Sequence, residues 1–168
     1  MQMVKFERLY YFLFDREKSR QKKPYDYKKC IHKEALAMNK STTPHPDWPW
    51  TLREGDVKRR EFTPDDIRLS LVTLYTYGGD SFVVLSQEEP GNDKHYWYIQ
   101  STIALQGPHK DEYIVGIGWN DGTKAVYLER LFQWPDENII IDMFQQAFQR
   151  RTLDLSGFEI PSYLLSQE

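Results

Sequence analysis

This sequence has little cysteine and no long apolar run. Its one cysteine, Cys30, excludes an intrachain disulfide and a zinc site built from several cysteines. No stretch reaches the roughly 18 apolar residues that a membrane span needs. The apolar run at residues 9–14 has charged neighbours and is too short for the core of a signal peptide. We therefore expect a cytoplasmic protein without a membrane segment.

The common motifs of catalysis are missing as well. There is no Gly-rich phosphate loop, HExxH sequence, EF-hand loop or G-x-S-x-G elbow. Gly116 and Gly118 lie inside a predicted strand, so we interpret them as a place where a helix or a partner backbone approaches closely. His109, Asp111 and Glu112 could meet as an acid/base or metal site, but solvated turn residues explain them as well. The sequence predicts no catalytic residue, no metal and no cofactor.

Charge is divided unevenly along the chain. Residues 1–40 contain 11 Lys and Arg against 5 Asp and Glu, whereas residues 41–168 contain 11 against 20. The basic stretch at 16–23 could contact phosphate, or it could be a solvated loop. The acidic excess of the longer part favours a basic partner, although attraction between the two parts of the chain explains the asymmetry equally well.

The length of 168 residues fits a single domain over 1–168. Residues 1–62 are its less regular part, with a predicted strand at 4–14 and a predicted helix at 27–39. Three prolines and two tryptophans within residues 41–50 predict an irregular segment, which Trp48 and Trp50 anchor on the body. Residues 63–150 form the predicted core of helix, four-stranded meander and helix.

The core pattern is regular. Thr63 before Pro64 predicts a helix start, and Gly78-Gly79 predicts its end. Apolar residues at helical spacing follow the start: Ile67, Leu71, Leu74 and Tyr75. Four predicted strands cover 81–87, 96–105, 112–119 and 124–132. Their short connections require antiparallel neighbours. A second helix begins at Pro135, with an apolar stripe of Ile139, Ile140, Met143, Phe144, Ala147 and Phe148. The fold class is thus α+β, an antiparallel β-meander sheet of four to five strands flanked by helices.

Alternation along the strands gives the sheet two different faces. Trp97 and Ile99 belong to a core face that the helices cover. Tyr96 and Tyr98 belong to an aromatic face with polar tips. That face could lie under the N-terminal segment or serve as an exposed recognition surface.

The order of elements has a known counterpart. From Ile67 onward come a helix, Gly-Gly, an FVVL strand, a WYIQ strand, a YIVGIGW strand, a hairpin, and a helix with Met143-Phe144. Over about residues 64–158 this layout resembles the small α+β immunity proteins that bacteria encode beside polymorphic or contact-dependent toxins. The resemblance implies a non-catalytic inhibitor that binds one cognate toxin domain, such as a nuclease with a basic cleft.

Two acidic turns and the strand between them supply the candidate partner-binding residues, which are Glu88, Glu89, Asp93, Tyr96, Tyr98, Asp111 and Glu112. Two alternatives stay open. One is a nucleic-acid-associated protein that uses the stretch at 16–23, and the other is an enzyme or ligand-binding protein with a site around His95, His109 and Glu112. The sequence argues against a membrane partner and does not fix the oligomeric state.

Overall fold

The computed structural model describes residues 43–77, 81–122 and 125–165. The predicted strand at 4–14, the predicted helix at 27–39, the basic stretch at 16–23 and the Gly78-Gly79 helix end lie outside these residues. Among the described residues, none of the helices has the length and apolar character needed to cross a bilayer.

A single antiparallel sheet forms the centre of the described chain. Its six strands are β1 (Trp50–Glu54), β2 (Val57–Arg59), β3 (Phe82–Glu89), β4 (Asn92–Ile103), β5 (Tyr113–Asp121) and β6 (Ala125–Phe132). They are ordered β2-β1-β3-β4-β5-β6 across the sheet. The helices are α1 (Pro64–Tyr77), α2 (Glu137–Phe148) and the short α3 (Ser162–Leu165). The predicted α+β class and the four-stranded meander are confirmed.

The predicted strand number of four to five is wrong, because the described sheet has six strands. The two additional strands form the β1–β2 hairpin, within the part at 1–62 that the sequence predicts to be less regular. Trp50 and Leu52 are buried while the intervening Thr51 is part-exposed, which is the alternation of a strand with one core face. Gly55, at φ 52°, makes the tight turn.

Helix α1 begins where Thr63 predicts it. The backbone N–H of Asp66 donates to Thr63 Oγ1 at 3.3 Å, and the backbone N–H of Thr63 donates to Asp66 Oδ2 at 2.7 Å. This reciprocal pair satisfies N–H groups that have no partner within the helix. The Thr63 hydroxyl also donates to Asp66 Oδ2 at 2.7 Å, and this bond and the one from the Thr63 backbone lower the pKa of the Asp66 carboxyl.

Both long helices cover the same face of the sheet, and they pack against each other. The buried residues of α1 are Ile67, Ser70, Leu71 and Leu74, as its spacing predicts. In α2 the buried stripe is Ile140, Ile141, Phe144 and Ala147. The inclusion of Ile139 in that stripe was therefore wrong: Ile139 lies on the outer side, and Ile141 takes the inward position.

The segment before β1 is held by two side chains that bind the same pair of carbonyl groups. Gln87 Nε2 donates to the carbonyl oxygens of His45 and Trp48 at 3.0 and 2.9 Å. Arg150 donates to the same two oxygens, each at 3.1 Å. Trp50 then enters the core, with its ring edge-on to Trp97 at 5.8 Å. The predicted anchoring of this segment through Trp50 is confirmed.

After α2 the chain returns to the sheet. Leu153, Leu155 and Phe158 are buried in the helix-side core. The backbones of Glu129 in β6 and Glu159 then exchange hydrogen bonds of 2.8 and 2.9 Å at the sheet edge. Beyond this bridge, Leu164 of α3 packs on the opposite face of the sheet.

Candidate functional site

The two acidic turns predicted to bind a partner lie at opposite ends of the sheet. Glu88, Glu89 and Asp93 flank the β3–β4 turn, whereas Asp111 and Glu112 lie in the connection from β4 to β5. Strand β4 has 12 residues between them. At a rise of about 3.3 Å per residue, this corresponds to a separation of roughly 36 Å. The two turns therefore do not form one compact site.

The same geometry separates the histidines of the proposed enzyme site. His95 lies near the start of β4, and His109 lies in the connection beyond its end. The structure brings His109 together with Glu112 alone, at 2.9 Å between Nδ1 and Oε2. Asp111 faces Lys110 at 4.0 Å instead. Among the described residues, no group of three potential metal ligands occurs.

At the β3–β4 turn the three carboxylates have different surroundings. His95 Nδ1 lies 2.6 Å from Glu89 Oε2, and Asn92 Nδ2 donates to the same oxygen at 2.9 Å. Glu89 is thus part of the turn's internal hydrogen bonding. Glu88 and Asp93 are exposed and make no ion pair within the described part of the chain, so their charges face solvent.

The β4–β5 connection shows the same division. Glu112 accepts hydrogen bonds from His109 and, at 3.3 Å, from Gln133 Nε2. Asp111 is exposed, with φ 68°, and its backbone N–H donates to Ala104 O at 2.7 Å. Asp111 therefore presents its carboxylate to solvent from a hydrogen-bonded loop, while Glu112 ties that loop to the segment after β6.

Tyr96 and Tyr98 are buried on the face of the sheet opposite the two long helices, with only 8% and 4% of their surfaces exposed. Together with Tyr127 they form what we call the tyrosine layer. The Tyr96 and Tyr98 rings lie 6.0 Å apart, and the Tyr98 and Tyr127 rings 6.4 Å. A partner could reach Tyr96 or Tyr98 only after displacing the groups that cover them.

Gly116 and Gly118 lie directly beneath this layer. A Cβ atom on Gly118 would overlap the Tyr98 ring, and one on Gly116 would overlap the Tyr127 ring. The close approach expected at these glycines is confirmed. The groups that approach them are tyrosine rings from the neighbouring strands, however, rather than a helix or a partner backbone. This arrangement, a ring covering a cross-strand glycine, stabilises the sheet locally.

Three large apolar side chains are exposed at the end of the molecule where Asp111 and Glu112 lie. The exposed fractions are 76% for Trp134, 82% for Tyr77 and 52% for Ile139. Sequence reasoning missed all three as site residues. Trp134 lies between a strand and a helix start, outside both apolar patterns, and this position was the available signal.

A chain of contacts joins the elements that carry these residues. The Tyr75 and Tyr113 rings lie 4.4 Å apart, which joins the last turn of α1 to the start of β5. Tyr113 Oη donates to Glu137 Oε1 at 2.6 Å, which joins β5 to the start of α2. We call the surface of Tyr77, Asp111, Glu112, Trp134 and Ile139 the Trp134 end.

The tyrosines beneath the Trp134 end stay neutral at physiological pH. Burial raises the pKa of Tyr75, whose hydroxyl lies 2.8 Å from Ser101 Oγ. Burial and the hydrogen bond to the Glu137 carboxylate raise the pKa of Tyr113. Neutral phenols keep their hydrogen bonds, so this network braces the Trp134 end.

Comparisons with protein-family models, with curated proteins and with solved structures find no match to this chain. The resemblance to immunity proteins therefore stays a prediction from the sequence.

Proposed function

We propose that this chain is a non-catalytic protein-binding module, an immunity protein that binds and neutralises one cognate bacterial toxin in the cytoplasm. The observation that carries the proposal is the set of solvent-facing carboxylates on the two turns of a hydrogen-bonded sheet. Glu88, Asp93 and Asp111 are all exposed. Carboxylates held in this way keep their charge available for a partner.

The chemistry suits a toxin that acts on nucleic acid. A cleft that binds a polyanion is basic, and an acidic protein can occupy it. Long-range attraction between the two surfaces also accelerates their encounter. The excess of 20 acidic over 11 basic residues in 41–168 provides this attraction over most of the chain.

The test has two stages. The full chain is used as bait in an extract of its native host, and the captured protein is identified and purified. The captured protein is then expressed in a heterologous bacterium with and without the chain. We expect it to stop growth when expressed alone and to be neutralised at equimolar expression of the chain. A captured protein that is harmless, or one whose toxicity persists, would contradict the proposal.

A further inference from the structure

We infer that the Trp134 end is the surface that docks the protein partner, and that the partner presents an apolar pocket rimmed by Lys or Arg. The identity of the partner as a toxin rests on the proposed function. The position of the docking surface rests on the structure alone.

The first argument is that three exposed apolar side chains lie on segments that meet at the same end of the sheet. Trp134, Tyr77 and Ile139 each expose more than half of their surface. None of the large exposed apolar side chains among the described residues belongs to the β3–β4 turn. Trp and Tyr are the residue types that most often dominate binding energy when an interface covers them. Within the part of the chain that the structure describes, the Trp134 end is the acidic end that combines charge with such anchors.

The second argument is charge. Asp111 and Glu112 lie at the same end of the sheet as Trp134, and Asp136 and Glu137 follow Trp134 along the chain at the start of α2. Lys110 is the one Lys or Arg in the loop at 104–112. A basic rim on the partner would match the exposed carboxylate of Asp111 and the part-exposed carboxylates of Glu112, Asp136 and Glu137. A second copy of the chain would bring the same charges together, so we commit to a basic partner protein rather than a homodimer.

The third argument is preorganisation. The segment that bears Trp134 is fixed by the Gln133–Glu112 hydrogen bond on one side and the Tyr113–Glu137 hydrogen bond on the other. A surface that is already ordered loses less conformational entropy when it binds. The exposed indole is therefore presented by a braced segment.

The experiment measures affinity for the partner captured above by isothermal titration calorimetry. Trp134→Ala should weaken binding at least about 30-fold, the range of a central anchor residue. The matched control is Leu69→Ala, because Leu69 is also exposed, at 63%, but lies mid-helix on α1. It should change affinity less than about 2-fold. Both positions are on the surface, so both variants should keep the wild-type melting temperature within a few degrees.

A second variant pair compares the two acidic ends. Asp111→Asn should weaken binding more than the double variant Glu88→Gln, Asp93→Asn, because the carboxylates of Glu88 and Asp93 contribute only long-range attraction. Placing the photoreactive residue benzoylphenylalanine at position 134 should crosslink the basic partner in the native host. At position 88 it should not.

The outcomes separate this inference from the proposed function. Wild-type affinity in Trp134→Ala, or crosslinking at position 88 alone, would overturn the docking surface while leaving an immunity function intact. A position-134 crosslink to a second copy of the chain, or to an acidic protein, would also overturn it. A position-134 crosslink to a basic protein without toxicity would support the docking surface and contradict the proposal that the partner is a toxin.

Discussion

At the scale of single residues, the tyrosine layer depends on the absence of a side chain at Gly118. We expect Gly118→Ala to lower the free energy of unfolding by about 1–3 kcal/mol, the usual cost of overpacking. The added methyl group would overlap the Tyr98 ring, which is too buried to move aside freely. Urea denaturation followed by circular dichroism measures the change.

The control for this prediction is the same substitution in a Tyr98→Ala background. Without the ring the methyl group has space, so Gly118→Ala should cost little there. An equal cost in both backgrounds would show that backbone propensity, and not the ring, explains the need for glycine.

The raised pKa values of Tyr75 and Tyr113 predict that the free energy of unfolding falls at alkaline pH. Burial raises both pKa values above those of the unfolded chain. As the pH rises above about 10, the unfolded state loses these protons first. The unfolded state then binds fewer protons than the folded state, and the free energy of unfolding decreases with pH.

The comparison for this prediction is the variant Tyr75→Phe, Tyr113→Phe. Urea midpoints between pH 8 and pH 11 should decline steeply for the wild type and less steeply for the variant. If the urea midpoints of the two proteins fell equally with pH, groups other than Tyr75 and Tyr113 would cause the loss of stability in alkali.

Single residues also show where sequence reasoning succeeds. Thr63 and the helix that follows it were predictable, because capping and spacing are local properties of the chain. The two faces of β4 were predictable from alternation for the same reason. The exposure of Trp134 had one local signal, its position outside both apolar patterns, but its place beside the other exposed residues depends on how α1, β5 and α2 meet.

At the scale of elements, the segment before β1 depends on the shared carbonyl clamp of Gln87 and Arg150. In Gln87→Leu, Arg150 still binds both carbonyl oxygens. Gln87→Leu also removes a buried Oε1 that has no hydrogen-bond partner among the described residues, which offsets part of its cost. Each single variant should therefore lose little stability.

The double variant Gln87→Leu, Arg150→Gln should lose more than the sum of the singles, by about 0.5–3 kcal/mol. Unfolding free energies of the four proteins give this coupling, and limited proteolysis should cut near residues 43–49 fastest in the double variant. Additive losses would mean that the two side chains do not act as one clamp.

Two features of the elements were not predicted from the sequence, and the reasons are related. The β1–β2 hairpin follows a proline-rich segment, and that composition obscured a short alternation of Trp50 and Leu52. The distance between the two acidic turns was missed for a related reason. Spacing along the sequence does not show that a 12-residue strand places them at opposite ends of the sheet.

At the scale of the whole molecule, charge predicts how the proposed partner would associate. The association rate constant should fall at least about 10-fold between 50 and 500 mM NaCl, because salt screens attraction between the two surfaces. The dissociation rate constant should change far less. Stopped-flow fluorescence with the purified partner measures both. An association rate constant independent of salt would mean that electrostatic attraction does not accelerate binding.

The edges of the sheet limit the ways in which any second chain can attach. On one side, β2 has three residues and carries Lys58 and Arg59. On the other side, the backbone of Glu159 already occupies hydrogen-bonding groups of Glu129 in β6. Short, charged or occupied edges resist the addition of a foreign strand. The short, charged edge at β2 and the bridge at Glu129 therefore disfavour fibril growth or strand exchange at these positions of the described sheet.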